Sequence, residues 1–139
     1  MKRLCFFIPL ILFFSGCDFF SKKESVPQVK TMVSKVIKID NEEALDKYLQ
    51  YKTPVIVKFE TSFCSACKDM APIYQKLASK YFKRINFLSI EADKLPDLAD
   101  KYQILGVPTF LFIKDNQKMD QLVGVVSEKE FEDKIKNLL

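Results

Sequence analysis

The chain has no histidine and no tryptophan among its 139 residues. Without an imidazole there is no Cys-His or Ser-His nucleophilic pair, no histidine ligand to zinc and no Cys-x-x-Cys-His haem attachment. Without an indole there is no tryptophan fluorescence to report a change of state. A strong charge of either sign is missing too: 22 Lys and Arg stand against 18 Asp and Glu, and the formal net charge of +4 includes Lys2 and Arg3. The remainder is only mildly basic, which gives nucleic-acid binding no electrostatic support. The apolar run from Leu4 to Phe14 is also short for a membrane span: about 11 residues at ~1.5 Å each cover roughly half of a ~30 Å hydrocarbon layer. What is left, 48% hydrophobic and 29% charged, is an ordinary globular composition, long enough for one domain with a core that needs no disulfide staples.

The N-terminus reads as an address. Met1-Lys2-Arg3 followed by the apolar run has the form of a signal peptide. Its end, Phe13-Phe14-Ser15-Gly16-Cys17-Asp18, resembles a bacterial lipobox, with small residues before a cysteine, although Phe14 stands where leucine is usual. That resemblance implies a lipoprotein signal over 1–17, lipid on Cys17, and an exported protein anchored to the membrane and facing the periplasm or cell exterior. A plainly cleaved secretory signal and an uncleaved anchor are the alternatives. Residues 18–31 are polar and broken, with Ser21-Lys22-Lys23-Glu24-Ser25 and Pro27. As a flexible tether they would hold a domain spanning 32–139 on the order of 20 Å from the membrane surface.

Of the four cysteines, Cys5, Cys17, Cys64 and Cys67, only the last two look like a functional pair. They follow the apolar strand Val55–Phe59 and open a helix running to about Lys80. A thiolate at a helix N-terminus feels unpaired backbone N–H groups and the positive end of the helix dipole, which lower its pKa. The second cysteine, one helical turn along, lies on the same face and can close a disulfide.

Before and after this stretch, the patterning predicts an alternating strand Met32–Ile39 and a helix capped at Asp40-Asn41-Glu42-Glu43 and ending near Gln50. A strand Ile85–Ile90 and a helix Leu95–Tyr102 come next. A strand Phe110–Ile113, a turn at Asp115-Asn116 and a hairpin partner Met119–Val126 follow. A last helix is capped by Ser127, with Phe131, Ile135 and Leu138 at helical spacing. Pro72 falls inside the long helix, where proline removes a hydrogen bond. The order β-α-β-α-β-α-β-β-α is a layered α/β arrangement.

Taken together, Cys64-Ser65-Ala66-Cys67-Lys68 after an apolar strand, Pro72, Gly106-Val107-Pro108-Thr109 before a hairpin, and Gly124 in the last strand resemble the thioredoxin fold over essentially 32–139. The Ser-Ala dipeptide and the run Leu105 to Phe112 look most like membrane-associated, extracytoplasmic reductase domains. The resemblance implies an α/β fold with a central mixed sheet flanked by helices, and a redox-active disulfide with no cofactor and no metal. It also implies that Cys64 is the exposed nucleophile, Cys67 the buried resolving thiol and Pro108 a cis-proline facing them. The Val107 backbone would then be free to pair with an extended substrate.

Two departures stand out. Phe63 replaces the usual tryptophan, keeping an aromatic lid without an N–H donor. Lys58 replaces the acid that thioredoxins bury six positions before the first cysteine. Strand alternation puts Glu60 on the same side as Lys58. Either a Lys58–Glu60 pair takes over, with Glu60 relaying the proton and Lys58 favouring thiolate, or both side chains reach solvent and merely solubilise the strand end.

The function expected is reduction or isomerisation of disulfides in exported proteins, recharged by a membrane thiol reductase or oxidase. With no histidine between the cysteines to stabilise a thiolate strongly, a disulfide-forming oxidant is the weaker reading. A Cu(I)-binding module using Cys64, Cys67 and Met70 is another alternative. The absence of an added dimerisation domain favours a monomer.

Overall fold

The computed structural model describes residues 35–139. The expected signal segment, the lipid-bearing Cys17, the tether and the first residues of the strand placed at Met32 lie outside them.

A two-sided hydrophobic run needs cover on both faces, and β2 (Val55–Glu60) has it: it is the middle strand of a five-stranded sheet ordered β1-β3-β2-β4-β5. β1 (Val36–Ile39) and β3 (Asn86–Glu91) run parallel to it, while β4 (Thr109–Lys114) is antiparallel and forms a hairpin with β5 (Gln117–Val123). Successive side chains of β2 alternate between the faces. Ile56 enters a core with α2 (Ser65–Lys80) and α4 (Glu128–Leu138), whereas Val55, Val57 and Phe59 enter one with α1 (Glu42–Leu49) and α3 (Pro96–Lys101).

Local chemistry fixes the ends. Asn41 caps α1 through the Ala44 N–H at 2.8 Å, and Ser127 caps α4 through the Glu130 N–H at 3.2 Å, each satisfying a donor the helix leaves open. Pro96 opens α3, where its missing N–H costs nothing. Asp115 and Asn116 both take positive φ, 51° and 59°, the backbone of a two-residue hairpin turn.

Two sequence expectations need correction. β1 begins at Val36 within the described residues, and β5 ends at Val123 rather than Val126. The reason for the second is Gly124: at φ 81° its backbone leaves the strand, and its N–H donates to Pro108 O at 2.8 Å. Gly124 therefore terminates the strand instead of lying within it.

Tyr74 of α2 locks the helix to the sheet. Its hydroxyl lies 2.9 Å from Ile56 O and 2.7 Å from Leu88 O, on neighbouring strands, and its ring meets Phe87, Phe110 and Phe131. Complete burial pushes the phenol well above its ordinary range, so it remains a donor. Tyr74→Phe should lower stability by about 1–2 kcal/mol by removing the buried hydroxyl hydrogen that those carbonyls share. The check is a fall in the urea midpoint with the slope unchanged.

Candidate active site

β2 ends at Glu60, the chain turns through Thr61–Phe63, and α2 starts. This strand-to-helix turn makes Cys64 the N-cap. Its Sγ accepts the Cys67 N–H at 3.0 Å, the role an N-cap side chain fills for an open helix donor. Cys64 and Cys67 are joined by a disulfide. Cys64 is half-buried and Cys67 is 2% exposed. One sulfur therefore faces incoming reagents while the other is shielded by the protein.

Lys58 lies directly beneath. On the central strand, registered between Ser89 and Phe110, it is 3% exposed. Its ammonium pairs with the Glu60 carboxylate and donates to the Cys67 carbonyl at 3.3 Å. It also stands 5.9 Å from the centre of the Tyr74 ring. A charge of this depth needs a partner, and alternation along one strand supplies it. The alternative that both side chains reach solvent does not hold for Lys58.

Glu60 borders two cavities. One, of about 220 Å³, is also lined by Cys64, Cys67, Lys68 and Glu91; the other, of about 180 Å³, lies over Lys58, Tyr74 and Ser89. The carboxylate thus joins the disulfide's surroundings to the buried ammonium.

Glu91, which the sequence reading did not single out, stands beside Glu60 in register at the end of β3. Lys38 at 2.5 Å, together with Lys94, holds its carboxyl below the usual range. The available signal was that both parallel strands end in glutamate. Its recognition required knowing that those ends are neighbours.

Val107–Pro108 is a cis peptide bond. Because Thr109 is registered with Phe59, this loop lies at the same end of the sheet as Cys64. The Thr109 hydroxyl donates to Gly106 O at 2.6 Å, fixing the loop from below. Phe63 is 98% exposed at the tip of its turn and closes no lid over the disulfide. Leu105, 100% exposed, is a second apolar side chain on the loop before Val107. Met70 is fully buried in the core with Tyr74 and Leu77. One helical turn beyond Cys67, it is occupied as packing, which removes the third sulfur from the copper reading. Among the described residues no group of three His, Cys, Asp or Glu could hold a metal ion, and no helix is long and apolar enough to cross a membrane.

Comparison with known proteins gives a match to the thioredoxin family model over residues 35–137. Thioredoxin H5 of Oryza sativa subsp. japonica is 32% identical over 83 residues, 60% of this chain and 61% of that protein. The chloroplastic M-type thioredoxin of Pisum sativum is 28% identical over 134 residues, 96% of this chain and 73% of that protein. The match thus spans less than two thirds of the rice protein. Among solved structures, a wild-type thioredoxin h of poplar superposes with a TM-score of 0.69 at 32% identity, covering 75% of this chain and 96% of that one.

Proposed function

The chain belongs to the thioredoxin family, and from that premise we propose that it is an extracytoplasmic thiol-disulfide oxidoreductase that reduces or isomerises disulfides of exported proteins. The observation that carries the redox part is the Cys64–Cys67 disulfide, with one sulfur partly open at a helix N-terminus and the other buried. Proteins of this family work through redox-active cysteines and need no cofactor.

In the reduced form, the Cys64 thiolate attacks one sulfur of a substrate disulfide. The mixed disulfide forms and the first substrate thiolate leaves. Cys67 then loses its proton and attacks the Cys64 sulfur. The second substrate thiolate departs, the Cys64–Cys67 disulfide is restored, and two electrons have passed to the substrate. The helix N-terminus favours the Cys64 thiolate. On this reading Glu60, which lines a cavity with both cysteines and pairs with Lys58, takes the Cys67 proton. The backbone of Val107 and the exposed Phe63 and Leu105 form the rim that an extended substrate meets.

The extracytoplasmic setting rests on the sequence alone: the charged start, the short apolar run and the lipobox-like end at Cys17. On this reading the lipid holds the domain at the membrane, where a thiol reductase or oxidase exchanges electrons with it.

The test is the equilibrium reduction potential of the Cys64–Cys67 pair, titrated against glutathione and read by alkylation mass shifts because tryptophan is absent. Roughly −200 mV or below is expected of a reductant or isomerase. A value near −120 mV would make it an oxidant, and no two-electron transition at all would remove the redox reading. The same spectra read the mass of Cys17, and an unmodified thiol there on the mature chain removes the anchor.

A further inference from the structure

At the far end of α2 from the disulfide, three cations gather around two aromatic rings. The helix has 16 residues, so this end lies ~24 Å from Cys64. Among the described residues Lys38, Lys58, Lys76, Lys94, Lys101, Lys129, Lys134 and Lys136 hold carboxylates, as does Lys80 at this end through Glu132, whereas Lys47, Lys52, Lys68, Lys114 and Lys118 stand singly without an Asp or Glu partner. At this pole Lys35, Lys83 and Arg84 have no carboxylate in ion-pair range among the described residues, and they converge on aromatic rings instead. Lys35 stands 4.2 Å from the Phe82 ring centre and Lys83 5.9 Å from it, while Arg84 is 6.0 Å from the Tyr81 ring. Phe82 is 49% exposed between its two lysines.

The turn that presents them is built against backbone preference. Lys83 has φ 71°, a left-handed conformation that glycine adopts freely after a helix end and other residues pay to adopt. The N–H groups of Arg84 and Ile85 both return to Tyr81 O, at 3.0 and 3.1 Å, so the turn is held closed with Lys83 at its corner. A glycine would relieve the strain and lose the charge.

From this arrangement we infer that the Lys35–Phe82–Lys83–Arg84 face rests on an anionic phospholipid surface, which would point the disulfide away from the bilayer. Cations above a negative leaflet are attracted within a Debye length, and an exposed phenylalanine can bury its ring at the boundary between headgroups and acyl chains. The face also lies where the described residues begin, and Lys35 is 18 positions after Cys17, the residue that would carry the lipid. This part of the argument rests on the lipid-anchor reading.

The full chain, carried by its own lipid into vesicles of phosphatidylcholine alone or mixed with phosphatidylglycerol, is footprinted by lysine acetylation. The anchor delivers the protein to both compositions, so a difference between them reads the face. Labelling of Lys35 and Lys83 should fall about fivefold in the anionic vesicles, recover in high salt, and leave Lys68 beside the disulfide unchanged. K83E/R84E should abolish the protection while retaining disulfide reduction. Equal labelling in both compositions, or equal protection in both, overturns the proposal even if Cys17 carries lipid. Should Cys17 prove unmodified, the anchor reading fails separately. Added anionic vesicles then decide the face by the same footprint: protection supports it and its absence overturns it.

Discussion

Cys64→Ser should abolish disulfide reduction, lowering turnover at least ~10³-fold, because the attacking thiolate itself is removed. Cys67→Ser should fail differently. With Cys64 intact the first attack proceeds, but no buried thiol is present to release the product, so the enzyme accumulates as a mixed disulfide with its substrate. The two variants therefore separate the two proposed roles, attack by the half-buried Cys64 at the N-cap and release by the 2% exposed Cys67. Turnover is measured on a disulfide-bonded model protein, and the adduct is read by mass spectrometry without reductant. A stable adduct on Cys67 in the Cys64→Ser protein, with none on Cys64 in the other, would reverse the assignment.

The second large effect concerns the buried pair, and it is asymmetric. Glu60→Ala leaves the Lys58 ammonium, 3% exposed, with only a backbone carbonyl. Breaking a fully buried pair from one side costs about 3–5 kcal/mol, and with the Glu60 side chain 28% exposed the expected loss is about 2–3 kcal/mol. Lys58→Met removes the deeper charge and keeps the volume. The carboxylate it leaves behind can turn to water, so the loss should be smaller. Chemical denaturation of both variants checks the order, and a larger loss for Lys58→Met would mean that the ammonium is not the costly partner.

Glu60→Gln isolates the proton step, since an amide can still accept from Lys58 but cannot take a proton. With no histidine in the chain, no other side chain ordinarily titrates between pH 5 and 8 apart from the thiols. The groups facing Glu60 are Lys58 on its own strand, Tyr74 from α2, kept protonated by burial, Lys68 from α2, Glu91 from β3, kept ionised by Lys38 and Lys94, and Lys38 from β1. A change in the pH profile of product release in Glu60→Gln is thus assignable to this carboxylate. An unchanged profile removes the relay and leaves Glu60 as the counter-charge of Lys58.

Much of the fold was legible because its signals are local. Strand and helix periodicities, the Asn41 and Ser127 caps and the Asp115-Asn116 turn each act within a few residues. The overrun past Val123 came from reading Gly124 as a strand residue, when its positive φ ends the strand. The Met70 ligand reading failed because spacing puts Met70 near the cysteines along the helix, but the core decides which way that turn of the helix faces.

By itself, the sequence determined the chemistry: two cysteines at the start of a helix, no histidine to add another mechanism, and a lysine where thioredoxins bury an acid. Only the tertiary structure decided what Lys58 does, because depth is a property of the packed sheet. A lysine at a strand end solubilises that end if β2 is an edge, but between β3 and β4 under α2 it becomes a buried cation that must hold Glu60. The same holds for Glu91 beside Glu60 and for Lys35 beside Phe82. Residues distant in sequence share a site only after parallel strands set their ends together, and that arrangement comes from the burial of both faces of the sheet.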